Sequence, residues 1–367
     1  MNRTKNFYRS KQILFLLIWV LASCQNSSET QPSTDEKIEE PAIIYQAFFV
    51  NVDNLRVRES PNLKSKVLVK LREGKLVYSE NNVSDKVETV TLRGNRITSP
   101  YYYIKDNGDI EGWVFGGALT KIYQDIKPSP FTSRIEEVIS KLRAFDYKDQ
   151  QSGVQLLSVL REFKGSDPVW NDALYTIGSY FLNQLPEIIE FDQKVLSSFT
   201  TEDYQAIQKN SFDFTSRPDV TKIVGQGYRL VAAEGIIYAE RDGTKISSVI
   251  QGPFSNAMMD HLQLYNKTLY TRITEDGAIV LELKELVDLT IKEEEFINKY
   301  PNHLFIDHHK KNYKDFMAMI INGMNNTPVK SYETNEVNEN FKDAWKYCIS
   351  RYPDSDLSIR IEEVGLI

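Results

Sequence analysis

The sequence predicts an α+β chain of more than one domain: a small β-barrel, then a mainly α-helical domain carrying a small β-meander insert. Three observations lead there. Residues 44–123 break into many short β-rich runs. Beyond a Lys127-Pro128-Ser129-Pro130 break the apolar period becomes helical through 129–367, and one β-like island, near 226–250, interrupts it. A length of 367 residues calls for two or three domains, each large enough to bury a core.

The chain opens with basic Arg3, Lys5, Arg9 and Lys11, continues with an apolar run from Ile13 to Leu21, and then reads Ala22-Ser23-Cys24. Basic, apolar and small residues in that order make an export signal. The apolar run is too short to span a hydrocarbon core, which needs roughly 20 residues. Ala22 and Ser23 admit a peptidase, and the cysteine directly after them offers a thiol for lipid attachment. Leu21-Ala22-Ser23-Cys24 resembles the lipobox of bacterial lipoproteins. That resemblance implies a lipoprotein signal peptide over 1–23, lipidation of Cys24 with palmitate-type chains, and a mature chain held on a membrane; an ordinary cleaved signal is the alternative. Gln25, where an aspartate would retain some lipoproteins at the inner membrane, favours the outer membrane, facing the periplasm. Residues 24–43 hold no large apolar residue through Glu36 and read as a flexible tether.

In 44–123 the strand candidates are Gln46–Val50, Leu55–Arg58, Val67–Leu71, Leu76–Tyr78, Val87–Val90, Tyr101–Ile104 and Gly112–Phe115, separated by turn formers such as Glu73-Gly74. Close spacing of short strands indicates a small barrel. Leu55 and Val57 alternate inward, leaving Arg56 and Arg58 outward. Asn54-Leu55-Arg56-Val57-Arg58-x-x-Pro61, then Val67 to Leu71, Gly74, and Gly112-Trp113-Val114 before Ala118-Leu119, resemble a bacterial SH3 domain. The stretch between Tyr78 and Tyr101 is longer than such domains need, and Tyr101-Tyr102-Tyr103 stands where they carry a tryptophan. The resemblance implies recognition of peptidoglycan peptide or of a protein partner. Arg56, Arg58, Tyr78, Tyr101, Tyr103 and Trp113 supply the charge and the flat amphipathic faces for it.

In the second half, Ser133 with Glu136 suggests a capping box before Ile135, Val138, Ile139, Leu142 and Phe145. Asp167-Pro168 starts a further helix. Others read from Leu283 to Ile297, from His308 to Ile321 closed by Gly323, and from Val337 to Tyr352. The island comprises Tyr228–Ala233, Gly235–Ala239, an Asp242-Gly243 turn and Thr244–Ile250, read as a meander. Two helix ends, Tyr300-Pro301 and Tyr352-Pro353, are similar to helix junctions of tetratricopeptide-like outer-membrane assembly lipoproteins; a helical hairpin ended by proline is the simpler account.

With 44 Lys and Arg against 51 Asp and Glu, the net charge is −7 and the signs are interspersed, which argues against nucleic acid as a partner. Lipidation of Cys24 leaves Cys348 as the one thiol of the two cysteines, so no disulfide holds the exported chain. No histidine follows Cys348, and it lies on the apolar stripe of its helix, as a buried small hydrophobe does. His303, His308 and His309 fall in one turn-and-helix segment with Asp307, away from His261. Without an H-E-x-x-H pattern they read as a solvated helix start and not as zinc ligands. Glu234, Glu240, Asp242 and Asp260 could supply an acid and base for sugar hydrolysis, yet no spacing selects a pair. The expectation is a non-catalytic cell-envelope lipoprotein with no cofactor or metal, binding through its barrel. A cell-wall hydrolase with its active site in the helical domain, or an assembly scaffold using that domain, are the alternatives.

Overall fold

A computed structural model describes residues 46–124 and 132–364 apart from 107, 150 and 192. The leader 1–23, Cys24, the tether 24–43 and the break at 127–130 lie outside the described residues. The described chain is mixed α and β, with strands first and helices after.

The strands are β1 (Gln46–Val50), β2 (Leu55–Arg58), β3 (Val67–Leu71), β4 (Leu76–Ser79), β5 (Val83–Leu92), β6 (Asn95–Lys105), β7 (Glu111–Phe115) and β8 (Leu119–Gln124). They form an eight-stranded antiparallel sheet in the order β3-β2-β7-β6-β4-β1-β8, with β5 paired to β6. The long stretch before Tyr101 is the β5–β6 hairpin. Its turn residues Arg93 and Gly94 have φ of 50° and 85°, the paired positive values that match a two-residue turn to the twist of its strands.

β1 is buried at every residue, and β4 likewise. Alternate residues face opposite sides, so a strand buried on both faces reads as an unbroken apolar run such as Ala47-Phe48-Phe49-Val50. Phe48, Val50 and Val77 join Leu55, Val57, Ile104 and Val114 in the core of the sheet itself. Ala47, Phe49, Leu76, Tyr78 and Ile122 point the other way and belong to the core of the helices.

Three helices share that core: α1 (Thr132–Arg143), α2 (Ser152–Phe163) and α3 (Pro168–Leu182). α1 already includes Ser133, which is therefore not its cap. α3 begins as its sequence indicates: Asp167 Oδ1 accepts from the backbone of Val169 (2.8 Å) and Trp170 (3.0 Å), and Pro168 occupies the first turn. Its other end binds the sheet, Tyr180 meeting Phe49 edge-on at 4.5 Å and donating to Glu73 Oε1 at 3.1 Å.

There follow β9 (Ile188–Glu190), α4 (Gln193–Leu196), α5 (Thr201–Gln208), α6 (Pro218–Val224), β10 (Tyr228–Ala233), β11 (Ile236–Arg241) and α7 (Thr244–Ile250). The small sheet is ordered β10-β11-β9, so its third strand comes from 188–190. Thr244–Ile250, expected as a strand, is helical. Asp242 Oδ1 accepts from the Thr244 backbone (3.0 Å) and hydroxyl (2.6 Å) and turns the chain, after which Ile246, Val249 and Ile250 bury a face at helical spacing.

The remaining elements are α8 (Asn256–Tyr270), the hairpin β12 (Thr274–Glu275) and β13 (Ala278–Ile279), α9 (Leu283–Lys299), α10 (Ile306–Asn322), the hairpin β14 (Gly323–Met324) and β15 (Thr327–Pro328), α11 (Glu339–Arg351) and α12 (Asp356–Val364). They enclose a second core around Leu286, Leu289, Phe316, Phe341 and Trp345. α8 serves both cores, giving Met258 and Leu262 to the first and Leu264 to the second. The two tyrosine–proline ends are alike in space. Tyr300 and Tyr352 both cap with φ −131° and ψ near 55–59°, and each hydroxyl donates at 2.7 Å to an aspartate of an earlier helix, Asp260 or Asp288. Among the described residues no helix is long and apolar enough to cross a membrane.

Candidate functional sites

Of the six residues expected on a ligand surface, three share one groove. Arg56, Arg58 and Tyr101 line a cavity of about 500 Å³ between β2, the loop before β3 and the tip of the β5–β6 hairpin, with Phe115 among its apolar walls. Tyr101 is almost wholly buried. Its ring meets Phe115 edge-on at 6.0 Å, and its hydroxyl donates to Glu88 Oε2 at 2.7 Å. Burial, then the Glu88 carboxylate, raise its pKa far above the usual tyrosine value, so it stays a hydrogen-bond donor.

Arg58 does not face outward as alternation suggested. The β2–β3 register shifts between Val57 and Arg58, and the guanidinium folds under the loop to donate to the Ser65 carbonyl at 2.8 Å. Arg56 remains exposed opposite Lys70. Arg93, paired with Glu73, adds a third guanidinium to the groove, against one lining carboxylate, Asp53.

The other three stand apart. Tyr78 is a core residue, 3% exposed, because β4 is covered on both faces; it is not on an open ligand surface. With Tyr103, Glu80, Asn82 and Lys105 it only edges a cleft of about 170 Å³. Trp113 is half-buried and packs edge-on against Tyr103 at 5.5 Å.

A second constellation lies where the two helical cores meet. His309 of α10 and Glu293 of α9 are fully buried, with His309 Nδ1 2.5 Å from Glu293 Oε2. Asn312 Nδ2 donates to the other carboxylate oxygen at 2.9 Å. His309 Nε2 lies 2.9 Å from Nδ1 of His261 on α8, itself 2% exposed. Of the helix start expected to be solvated, Asp307 is exposed and His303 and His308 are half-buried, while His309 is folded into the interior; His303 and His308 pack 5.4 and 6.5 Å from the His261 ring.

Glu293 carries a signal in the sequence. It lies three residues beyond Thr290 and seven beyond Leu286, inside the apolar stripe of α9, and His309 precedes Phe316 by seven on the stripe of α10.

Burial, then the neighbouring histidines, holds the pKa of His261 well below the usual value; burial chiefly lowers His308 and brings His303 down to about 4. The unfolded chain protonates these rings near 6.5, so as pH falls from there toward about 4 the unfolded state takes up protons that the folded state refuses. The stability that the neutral rings contribute is complete above that window and is lost through it. Urea midpoints measured across the window should fall steadily with acid, and His303→Phe should flatten the slope.

The remaining candidates have structural employment. Cys348 is buried 3.3 Å from the Ser358 hydroxyl, and burial raises its pKa. Glu240 pairs with Arg229, Asp260 with Lys299 and Tyr300, and buried Asp242 accepts from Thr244 and Tyr270. Glu234 occupies the β10–β11 turn with φ 51°. A cavity of about 630 Å³ is bordered by Glu282, Glu339 and Asp343, with Lys284 as its one lining cation. Among the described residues no group of three His, Cys, Asp or Glu side chains could hold a metal ion.

No protein-family model, curated protein or solved structure matches the chain.

Proposed function

We propose that the chain is a cell-envelope lipoprotein, anchored through Cys24 at the periplasmic face of the outer membrane, that binds peptidoglycan stem peptides through its N-terminal sheet, read as an SH3-like barrel. The groove between β2 and the β5–β6 hairpin supports the reading most directly. It sets Arg56, Arg58 and Arg93 around an apolar floor of Leu55, Phe115 and Ala118. Guanidiniums beside an apolar floor suit a short peptide bearing carboxylates, each charged hydrogen bond contributing roughly 1.5–3 kcal/mol. Leu63, half exposed at the rim, offers further apolar contact. A protein partner with an acidic extended segment satisfies the same groove.

The full chain is expected to pellet with purified peptidoglycan. Arg56→Glu combined with Leu63→Asp, both at exposed positions whose change spares the core, should cut the retained fraction about tenfold through a loss of roughly 1.4 kcal/mol or more. Equal retention of the variant would reject wall binding at this groove.

A further inference from the structure

The Glu293–His309–His261 chain ends at a cavity that the groove reading does not use. The cavity is about 370 Å³, within the size range of small-molecule sites, and lies between α3, β11, α8 and the start of α10. His261, Tyr265, Tyr175 and Phe305 line it. His261 is held in place, stacked at 4.3 Å on Phe305 and at 5.8 Å on Tyr265, with Nδ1 committed to His309. Its remaining nitrogen, Nε2, is the one free to meet a ligand.

We propose that this cavity is a second binding site, and that it takes a neutral hydroxyl-rich ring, a pyranose sugar. Three observations select that class. The first is hydrogen-bond character. If Glu293 accepts from a neutral His309, the proton order along the chain leaves His261 Nε2 an acceptor; if His309 is protonated, the order reverses and Nε2–H donates. A hydroxyl satisfies either arrangement, whereas a carboxylate or an ammonium satisfies one. Tyr175 and Tyr265, kept protonated by burial, have the same two-way capacity.

The second is charge. The carboxylates at the rim are answered within the protein, Glu240 by Arg229 and Glu187 by Arg241 at 3.8 Å, so the cavity presents no unbalanced charge to an ion. The third is composition. Tyr175, Tyr265 and Phe305 line the cavity beside the polar side chains of Ser179 and Asn183, a mix that suits the C–H and hydroxyl surfaces of a sugar ring.

A binding role is favoured over catalysis. Burial holds the His261 pKa so low that the ring is a weak base, and no thiol lines the cavity.

The test is calorimetric titration of the full chain with glucose, galactose, N-acetylglucosamine and its β-1,4-linked tetramer, with glucuronate and glucosamine as charged controls. At least one neutral sugar should bind with Kd of about 1 mM or tighter, and the charged controls at least about tenfold more weakly. Tyr265→Phe and His261→Gln should each weaken binding about tenfold, a typical consequence of removing one buried hydrogen-bonding partner. Arg56→Glu, in the sheet groove, should leave it unchanged, so failure of this site and failure of the wall groove give different results. If the variants do not fold, nitrogen-15 spectra of the histidine rings in the unaltered protein decide, since His261 Nε2 should shift on sugar addition. Tighter binding of the tetramer points to a glycan chain as the source, and binding of single sugars alone to a free saccharide. Silence of His261 toward every neutral sugar, or equal binding of the charged controls, overturns the proposal.

Discussion

Replacing His309 by alanine should lower the unfolding free energy by about 3–5 kcal/mol, the usual cost of removing one member of a buried charged or charge-assisted pair. Glu293 has no access to water, and His309 and Asn312 are its hydrogen-bond partners on the two oxygens. Without the imidazole, one oxygen of a carboxyl group in an apolar seam has nothing to accept from, and Nδ1 of His261 loses its partner as well. The corresponding fall in melting temperature is roughly 5–15 °C. Changing both partners tests the cause. Glu293→Leu with His309→Phe removes the uncompensated group, so the double variant should lose less than the sum of the two single changes. Denaturant titrations of the four proteins decide, and strictly additive losses would show that the pair does not act as a unit.

Expressed alone, residues 44–123 should not fold as the sheet seen in the full chain. Phe49, Leu76, Tyr78 and Ile122 are buried against the helices, and excision would return them to water at roughly 1.5–3 kcal/mol each. Their combined loss matches the whole stability of a domain of about 80 residues, roughly 4–12 kcal/mol. The fragment is therefore expected to give a poorly dispersed proton spectrum and no cooperative melt. A sharp transition and a dispersed spectrum would show that the sheet stands without its helical partner. In the full chain, Phe49→Ala should cost about 3–5 kcal/mol, because it opens a cavity beside Tyr180 and Phe181.

Strand positions in 46–115 were legible because alternation, glycine and short turns act locally. Leu55–Arg58, Val67–Leu71 and Gln46–Val50 are strands in space with the bounds that pattern suggests. What alternation does not report is a partner lying across the second face. The run Ala47-Phe48-Phe49-Val50 fits a barrel wall and a strand covered on both sides equally well, and only α3 resolves the difference. Tyr78 went to the core for that reason.

Thr244–Ile250 shows a second limit. Its β-branched residues favour a strand, but Asp242 turns the chain by accepting from Thr244, and the Ile246–Val249–Ile250 spacing buries one helical face, so tertiary context overrides propensity. In the histidine cluster, His303, His308 and His309 are neighbours along the chain, whereas Glu293 and His261 arrive from two other helices. A contact set by helix packing leaves only an indirect trace in sequence, here a glutamate and a histidine inside apolar stripes.

The place of β1 in the sheet bears on how the protein carries load. β1 is hydrogen-bonded along one edge to β4 and along the other to β8, both antiparallel. It is also the first described element, so its N-terminal side is where the chain enters the sheet. A pull from that side along the strand cannot peel one ladder bond at a time; it must shear two ladders together while dragging Phe48 and Phe49 out of cores on opposite faces. With β1 paired along both of its edges, one strand in from the β8 edge, the fold is suited to resist tension applied at the start of the sheet.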